Sequence, residues 1–209
     1  MRALAQALFF AFVVRPFVTL FIGLRVLGRE HLPRHDPFIL IANHTSHLDT
    51  VTLLSLFPLR RLARIRPVAA ADYFERNRLV SFLSHTLFNI LPVERRRITK
   101  ESNPLSRMLG TLESGQSLLL FPEGTRGAGE PSHFLPGVAH LVEAAPDVPV
   151  VPACLVNVGR SLPKGEWLPV PFFCEVRLGP ALHPTGSRAE VLACLEQSVG
   201  ALRAEEGAG

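Results

Sequence analysis

Two short, uninterrupted apolar runs constrain the fold of this chain most strongly, because each leads directly into a polar turn. They are PFILIAN (37–43) and SLLLFPEG (117–124). Apolar runs of this length without polar alternation are typical of strands that are buried on both faces, as in a parallel sheet. Segments of helical periodicity alternate with strand-like segments along the rest of the chain. We therefore predict an α/β fold with a mostly parallel central sheet flanked by helices.

The other predicted elements follow from hydrophobic periodicity and from turn residues. The last helix is expected to open with a capping box, in which Ser187 and Glu190 each accept a backbone N–H of the other residue. An earlier helix is expected to end at Gly115. Strands are predicted at 67–71, 89–95, 148–158 and 172–182, and helices at 49–57, 73–88, 103–115, 136–145 and 187–204.

The N-terminal segment is apolar but is interrupted by a charge. Two apolar stretches, 7–14 and 17–24, are separated by Arg15 and Pro16. Each stretch is shorter than the roughly 20 residues that cross a bilayer, and an arginine at the centre of a span opposes insertion. The segment is therefore predicted to be a helical pair that enters one leaflet of a membrane, with a helix packed in the core as the alternative.

The chain of 209 residues has the length of one domain, which we divide into an N-terminal membrane-associating helical segment (1–28) and an α/β domain (29–204). The net charge is +4, with 20 Arg against 2 Lys. This excess suits the binding of phosphate, although a GC-rich genome would also produce it. The basic run RRLARIR (60–66) is either a solvated face or a patch for lipid headgroups. Arginines that could meet lipid phosphates near the N-terminus are Arg2, Arg15, Arg25 and Arg29.

Composition disfavours several classes of protein. Cys154, Cys174 and Cys194 are odd in number and show no CxxC spacing, so neither a disulfide framework nor a structural zinc site is expected. A reducing, cytosolic environment suits such cysteines best. Basic residues do not alternate with aromatic residues along a predicted sheet, so no nucleic-acid partner is expected.

The stretch ANHTSHLDT (42–50) concentrates proton-handling groups at the end of the first strong strand. It could be a metal site, a serine nucleophile with its base, a histidine base oriented by an aspartate, or a plain capped helix start. A zinc site needs three or four ligands, and on a helix His47 and Asp49 would point apart. Ser46 lacks the glycines of a nucleophile elbow. Ser46 or Thr45 is more simply the N-cap of the next helix.

The third interpretation pairs His44 with Asp49. A carboxylate one turn into the helix can accept the Nδ1–H of a histidine that precedes it, which leaves Nε2 to take a proton from a substrate hydroxyl. The segment FPEGTR (121–126) offers a glycine, turn N–H groups that can bind an anion, and Arg126. Function in parallel sheets gathers where strands end and helices begin. Both segments are therefore expected at one edge of the sheet, without a metal.

Together these segments resemble the signatures of the lysophospholipid acyltransferase superfamily, which includes the 1-acylglycerol-3-phosphate acyltransferases. The first signature, Asn-His-x4-Asp, is matched by residues 43–49, and the third, Phe-Pro-Glu-Gly-Thr-Arg, is matched without change by residues 121–126. The fourth, a Val-Pro-Val-Val-Pro-like strand, is matched by residues 148–152. The second is matched loosely by NILPVER (89–95), in which Glu94 replaces the usual Asp.

The resemblance implies transfer of a fatty acyl group from acyl-CoA or acyl-carrier protein to a hydroxyl of a lysoglycerophospholipid, first of all 1-acylglycerol-3-phosphate, without a bound cofactor. His44 would be the general base, Asp49 its orienting partner, and Pro152 would shape the acyl-donor side. The membrane bilayer would be a partner, with peripheral or monotopic attachment at the cytoplasmic face of the cell membrane. The residues implied for the acceptor and its phosphate are Arg95, Glu123, Gly124, Thr125 and Arg126.

One departure from the family pattern concerns the acceptor. Many members carry Phe-Lys-x-Gly after the third signature, but this chain has FLPG (134–137), so Leu135 stands where a positive charge is frequent. Another lysolipid, or an amino-lipid such as lyso-ornithine lipid, is therefore the alternative acceptor. The alternative from another class of enzyme is a membrane-associated hydrolase of acyl esters or thioesters, in which water replaces the acceptor.

Overall fold

A seven-stranded mixed sheet forms the centre of the protein. The computed structural model describes residues 2–46, 48–71, 78–94, 103–124, 133–158 and 174–204. The strands are β1 (Arg25–Leu27), β2 (Ile39–Ala42), β3 (Ile65–Ala70), β4 (Leu91–Val93), β5 (Ser117–Leu120), β6 (Val150–Val156) and β7 (Glu175–Leu178). Their order is β1-β7-β6-β2-β5-β3-β4, and every neighbouring pair is parallel except β6 with β7. The predicted α/β class with a mostly parallel sheet is confirmed.

Helices cover both faces of this sheet. The predicted capping box is present at the start of the last one, where Ser187 N donates to Glu190 Oε2 at 2.7 Å and Glu190 N donates to Ser187 Oγ at 3.4 Å. Gly115, with φ of +73°, follows the helix that was predicted to end there. The α-helices are α1 (Arg2–Phe9), α2 (Arg15–Phe17), α3 (Leu48–Ser55), α4 (Arg78–Leu87), α5 (Pro104–Glu113), α6 (Gly137–Ala144) and α7 (Arg188–Ala204), and the 3₁₀ helices are Arg29–His31 and Leu59–Arg64.

Alternate residues of the central strands point into two separate cores. In β2, Leu40 and Ala42 contribute to a core shared with α3 and the N-terminal residues. Ile39 and Ile41 contribute to a second core, shared with α5, α6 and α7. We name the two sides of the sheet the α3 face and the α7 face. Because β2 lies between β5 and β6, the segments that follow these three strands are brought to one edge.

The N-terminal residues form one continuous helix rather than the predicted pair. A π-helical turn (Phe10–Val14) joins α1 to α2, and a second one (Val18–Ile22) follows α2. Pro16 lies at the start of α2, directly after the wide turn, where its missing N–H and its ring disturb the helix least. The prediction that Arg15 and Pro16 divide the segment is therefore wrong. By length and composition alone, the stretch Arg2–Leu20 of this N-terminal helix is apolar enough to cross a membrane.

One side of the N-terminal helix packs into the core on the α3 face. Phe10, Val14 and Val18 are buried there at four-residue intervals. Such a stripe would drift around a pure α-helix, and the π-helical turns, with their i to i+5 bonds, straighten it. Arg15 Nη2 donates to the carbonyl oxygen of Phe57 at 2.8 Å, just beyond the end of α3. Arg15 thus binds the protein instead of the lipid phosphate suggested by the sequence.

Strand β1 lies within the segment that was predicted to be helical and membrane-associating. It pairs in parallel with β7, so residues 25–27 belong to the sheet. A strand of three residues is too short to show an alternating pattern, which explains why the sequence did not indicate it. The division of the chain after residue 28 stays a prediction. On the α3 face, residues on both sides of that division belong to the same hydrophobic core.

Phe10 and Phe12 offer a matched test of this packing. Phe10 is fully buried, whereas Phe12 is 75% exposed. Phe10→Ala is expected to lower the free energy of unfolding by about 3–5 kcal/mol, because it opens a cavity in the core. Phe12→Ala is expected to lower it by less than about 1 kcal/mol. Urea unfolding of the two variants under the same conditions measures the difference, and equal losses would contradict the orientation of the helix.

Candidate active site

Asn43 holds the backbone at the point where β2 ends. Its Nδ2 donates to the carbonyl oxygen of Leu155 at 2.9 Å, and its Oδ1 accepts from the N–H of Leu155 at 2.7 Å. The amide side chain therefore extends the pairing of β2 with β6 beyond the last backbone pair. Asn43 is buried, so water does not compete for these two bonds. The backbone from which His44 projects is fixed by them.

His44 and Asp49 form the hydrogen-bonded pair that the sequence predicts. His44 Nδ1 lies 2.9 Å from Asp49 Oδ2. The side chain of Asp49 is 0% exposed, and that of His44 is 20% exposed. Because an ionised carboxylate can only accept, the proton of the neutral imidazole is assigned to Nδ1. The lone pair is then on Nε2, the ring nitrogen that faces away from the carboxylate.

Asp49 also closes a capping box at the start of α3. Ser46 Oγ accepts from the N–H of Leu48 at 3.3 Å, and Asp49 Oδ2 accepts from the N–H of Ser46 at 2.7 Å. The N–H of Thr45 donates to the same carboxylate oxygen at 2.6 Å. The expected N-cap is therefore Ser46. One oxygen of Asp49 binds two backbone N–H groups as well as His44, so the carboxylate orients the imidazole and begins the helix.

The turn that follows β5 lies directly beside His44. The ring of Phe121 stacks on the imidazole, with centroids 4.2 Å apart and an interplanar angle of 19°. Since β2 and β5 are parallel neighbours, their carboxyl ends meet at one edge of the sheet. This arrangement confirms the expected proximity of the two signature segments. The stacked ring of Phe121 fixes the plane of the imidazole, and the hydrogen bond to Asp49 fixes the direction in which Nδ1 points within that plane.

Glu123 and Gly124 complete the described part of this turn. Glu123 is buried, and the N–H of Gly124 donates to the carbonyl oxygen of Phe121 at 3.0 Å. Gly124 has φ of +72°, a conformation that glycine adopts without steric cost. The side chain of Leu135 fills the place that a Cβ on Gly124 would take, although Leu135 is itself 54% exposed. Leu135 therefore covers the turn with an apolar side chain.

The other predicted site residues are placed differently. Arg95, Thr125 and Arg126 lie outside the described residues, so their roles stay predictions. Pro152 is buried in β6, and its ring lies close to Gly179. The alternation of side chains along β6 directs Pro152 to the α7 face, opposite to α3. The structure therefore does not bring Pro152 next to the histidine, and its role on the acyl-donor side stays a prediction.

The arrangement is suited to general-base chemistry. An imidazole with an oriented lone pair can take a proton from a hydroxyl, and a buried carboxylate stabilises the imidazolium that forms. Within the described parts of the chain, no group of three or more His, Cys, Asp or Glu side chains could hold a metal ion. The sequence did not reveal the supporting roles of Asn43 and Phe121. Both lie inside the quoted signatures, but a contact between distant strands leaves no local pattern.

The chain belongs to the Acyltransferase family, whose sequence profile matches residues 23–156. The chain is similar to the 1-acyl-sn-glycerol-3-phosphate acyltransferase BAT2, chloroplastic, of Brassica napus, with 30% identity over 68% of this chain and 39% of the relative. It is also similar to the 1-acyl-sn-glycerol-3-phosphate acyltransferase alpha of Mus musculus, with 27% identity over 85% of this chain and 61% of the relative.

A solved structure shares the fold. It is the crystal structure of the 1-acyl-sn-glycerophosphate (LPA) acyltransferase, PlsC, from Thermotoga maritima, with a TM-score of 0.74 and 22% identity. The match covers 99% of this chain and 81% of that chain. The present chain spans about two fifths of the length of its plant relative and about three fifths of the mouse relative.

Asp49 provides a test of the capping box that does not depend on activity. Asp49→Ala is expected to lower the free energy of unfolding by about 2 kcal/mol or more, because it leaves the N–H groups of Thr45 and Ser46 without an acceptor. Asp49→Asn is expected to cost about half as much, because the amide oxygen can still accept from both. Urea unfolding checks the order. A loss in Asp49→Asn as large as that in Asp49→Ala would contradict it.

Proposed function

We propose that the chain is an O-acyltransferase that moves a fatty acyl group from an acyl thioester to a free hydroxyl of a lysoglycerophospholipid. The first-choice acceptor is 1-acylglycerol-3-phosphate, which would give phosphatidate, and the donor is acyl-CoA or acyl-carrier protein. The observation that carries the proposal is the pair of His44 and Asp49 beside the turn after β5. The names of the relatives in Brassica napus and Mus musculus support the same acceptor.

In the proposed mechanism His44 acts as the general base. Its Nε2 takes the proton of the acceptor hydroxyl while the hydroxyl oxygen attacks the carbonyl carbon of the thioester. The new C–O bond forms and the C–S bond breaks, so the acyl group becomes an ester and the thiolate leaves. The imidazolium returns its proton to that thiolate. Asp49 stabilises the imidazolium in between, because it is ionised and 2.9 Å from Nδ1.

The acceptor is proposed to attack directly, without an acyl-enzyme intermediate. Ser46, the serine that the sequence offers as a possible nucleophile, is buried, and its Oγ accepts the N–H of Leu48 at the helix start. A thioester is already an activated acyl donor, so a covalent step on the protein is not required. Neither a bound cofactor nor a metal enters this mechanism.

The acceptor phosphate is proposed to bind the turn after β5 and two arginines. Glu123, Gly124, Thr125 and Arg126 would form the turn side, and Arg95 would supply the second guanidinium. Leu135 lies against Gly124, so an apolar side chain borders the place where a phosphate would approach. This contact supports keeping a second acceptor class in the proposal: a lysolipid with a larger headgroup, or an amino-lipid.

The protein is further proposed to act at a membrane, attached peripherally or monotopically at its cytoplasmic face. The lipid acceptor requires access to a bilayer. The N-terminal helix supplies an apolar element whose inner side is packed into the core of the domain. This packing supports attachment to one leaflet more than a free span across the bilayer.

Product analysis with variants of His44 and Asp49 tests the function. The pure protein is incubated with labelled acyl-CoA and a panel of lysolipids, and the products are identified by mass. Transfer to 1-acylglycerol-3-phosphate is expected. His44→Ala should abolish it, and Asp49→Asn should reduce it by about 10²–10⁴-fold, because the imidazolium loses its counter-charge.

The double variant of His44→Ala with Asp49→Asn should be no slower than His44→Ala alone, since the two residues act as a unit. Fully additive losses would contradict the pair. If free fatty acid is released at the same rate with and without lysolipid, the protein is a hydrolase and not a transferase.

Leu135→Lys tests the acceptor class. If the acceptor is 1-acylglycerol-3-phosphate, the added cation beside Gly124 should lower the KM for the acceptor several-fold and leave the KM for acyl-CoA unchanged. Leu135→Met is the control, because it changes the shape of the side chain without adding a charge. Arg126→Ala and Arg95→Ala should each raise the acceptor KM. If neither arginine affects the KM of any phosphate-bearing lysolipid, the acceptor lacks a recognised phosphate.

A further inference from the structure

A side chain of the last helix holds the backbone just before α6. The N–H of Phe134 donates to Oε1 of Glu196, in α7, at 2.6 Å, a short distance of the kind that carboxylate acceptors make. The two residues are 62 positions apart in the sequence. His133 Nδ1 lies 3.6 Å from the same oxygen, but the side chain of His133 is fully exposed. The contact that fixes the chain here is therefore the backbone bond of Phe134.

Helix α7 keeps this carboxylate in one place. Val191, Leu195 and Val199 are buried in the core on the α7 face. Leu195 directly precedes Glu196, so the buried stripe sets the direction in which Glu196 leaves the helix. The side chain of Glu196 is 30% exposed, at the border between that core and solvent. Phe134 is buried in the same core, so the hydrogen bond joins two well-packed parts of the chain.

The next backbone group binds the candidate site. The N–H of Leu135 donates to the carbonyl oxygen of Pro122 at 2.8 Å, and the side chain of Leu135 lies against Gly124. Pro122 and Gly124 belong to the turn after β5, which lies beside His44. Two successive N–H groups thus bind two different elements. The N–H of Phe134 binds α7, and the N–H of Leu135 binds the turn.

Leu135 has little packing of its own to hold it over the turn. It is 54% exposed, and a leucine that is half in water gains only part of the free energy of burial. Its position therefore depends on the hydrogen bonds of the backbone around it. The N–H of Val138 donates to the carbonyl oxygen of Leu135 at 3.3 Å, within the start of α6. The bond from Phe134 to Glu196 is the one that ties this segment to another helix.

We propose that Glu196 is a positioning residue for the acceptor side of the site. Through the N–H of Phe134 it holds Leu135 against Gly124, and this contact keeps the turn after β5 in the form that binds the acceptor headgroup. The proposal rests on the proposed function, in which this turn receives the acceptor. Glu196 acts through the backbone and not on the substrate, so its loss should change the binding of the acceptor and not that of the acyl donor.

Steady-state kinetics with 1-acylglycerol-3-phosphate and acyl-CoA test this role. Glu196→Ala should raise the KM for the acceptor about three- to ten-fold, as for the loss of one hydrogen bond, and leave the KM for acyl-CoA unchanged. Glu196→Gln should keep most of the affinity, because the amide oxygen can still accept from Phe134. The matched control is Gln197→Ala, at an exposed position on the same helix. Equal increases in both KM values, or an equal effect of the control, would overturn the proposal.

A double-mutant cycle with Leu135→Ala separates positioning from a general loss of stability. If Glu196 acts through Leu135, Leu135→Ala should itself raise the acceptor KM, and adding Glu196→Ala should raise it little further. Independent roles would multiply the two increases, and that result would overturn the proposal. Each single variant should melt within about 4 °C of the parent, because each loses one partly exposed contact.

Hydrogen exchange tests the same link without any substrate. In Glu196→Ala the amide hydrogens of Leu135 and Gly124 should exchange at least about five-fold faster than in the parent, while that of Ser46 in the α3 capping box should not change. Faster exchange at both positions, together with no transfer to any lysolipid by the parent, would leave the positioning in place and overturn the proposed function. Normal transfer by the parent with unchanged exchange in Glu196→Ala would overturn the positioning alone.

Discussion

The candidate site depends on one carboxylate oxygen. Asp49 Oδ2 accepts from the N–H groups of Thr45 and Ser46 and contacts Nδ1 of His44, at distances between 2.6 and 2.9 Å. A fully buried charge costs much free energy unless hydrogen bonds compensate it. Here the compensation comes from the residues just before the helix, so the site forms together with the first turn of α3. Folding of this turn therefore places the carboxylate against the imidazole, and Phe121 of the neighbouring turn completes its orientation.

The same contacts explain the spacing of the first signature. In a capping box, the second side chain lies three residues after the N-cap, which here is the step from Ser46 to Asp49. His44 lies two residues before the N-cap, at the end of β2. The five-residue step from His44 to Asp49 lets the chain leave the strand, turn, and place the carboxylate against the imidazole. A capped helix start and an oriented base are therefore two consequences of one arrangement, not competing interpretations.

The strongest strands of the sheet, the pair of His44 and Asp49 and the last capping box were predictable because each leaves a pattern in residues close in sequence. Other features depend on contacts between distant segments. Pro16 is a helix breaker by local rules, but a π-helical turn shaped by packing against the domain accommodates it. Leu135 and Gly124 are eleven positions apart in the sequence and meet only in the folded chain. The position of Pro152 on the α7 face follows from the register of β6. No local pattern encodes either.

Helix α3 connects the candidate site with the N-terminal helix. Asp49 lies in its first turn, and Arg15 of the N-terminal helix donates to the carbonyl of Phe57 just beyond its last turn. Eight residues of α-helix are about 12 Å long, so a short and stiff element separates the orienting carboxylate from the helix that would lie in the lipid. A charge within an apolar helix opposes insertion of that helix into a membrane. Arg15 instead stabilises the contact between the N-terminal helix and the domain through its hydrogen bond to Phe57. Under the proposed attachment, the depth at which a lipid hydroxyl would meet Nε2 is set by packed contacts and not by a flexible linker.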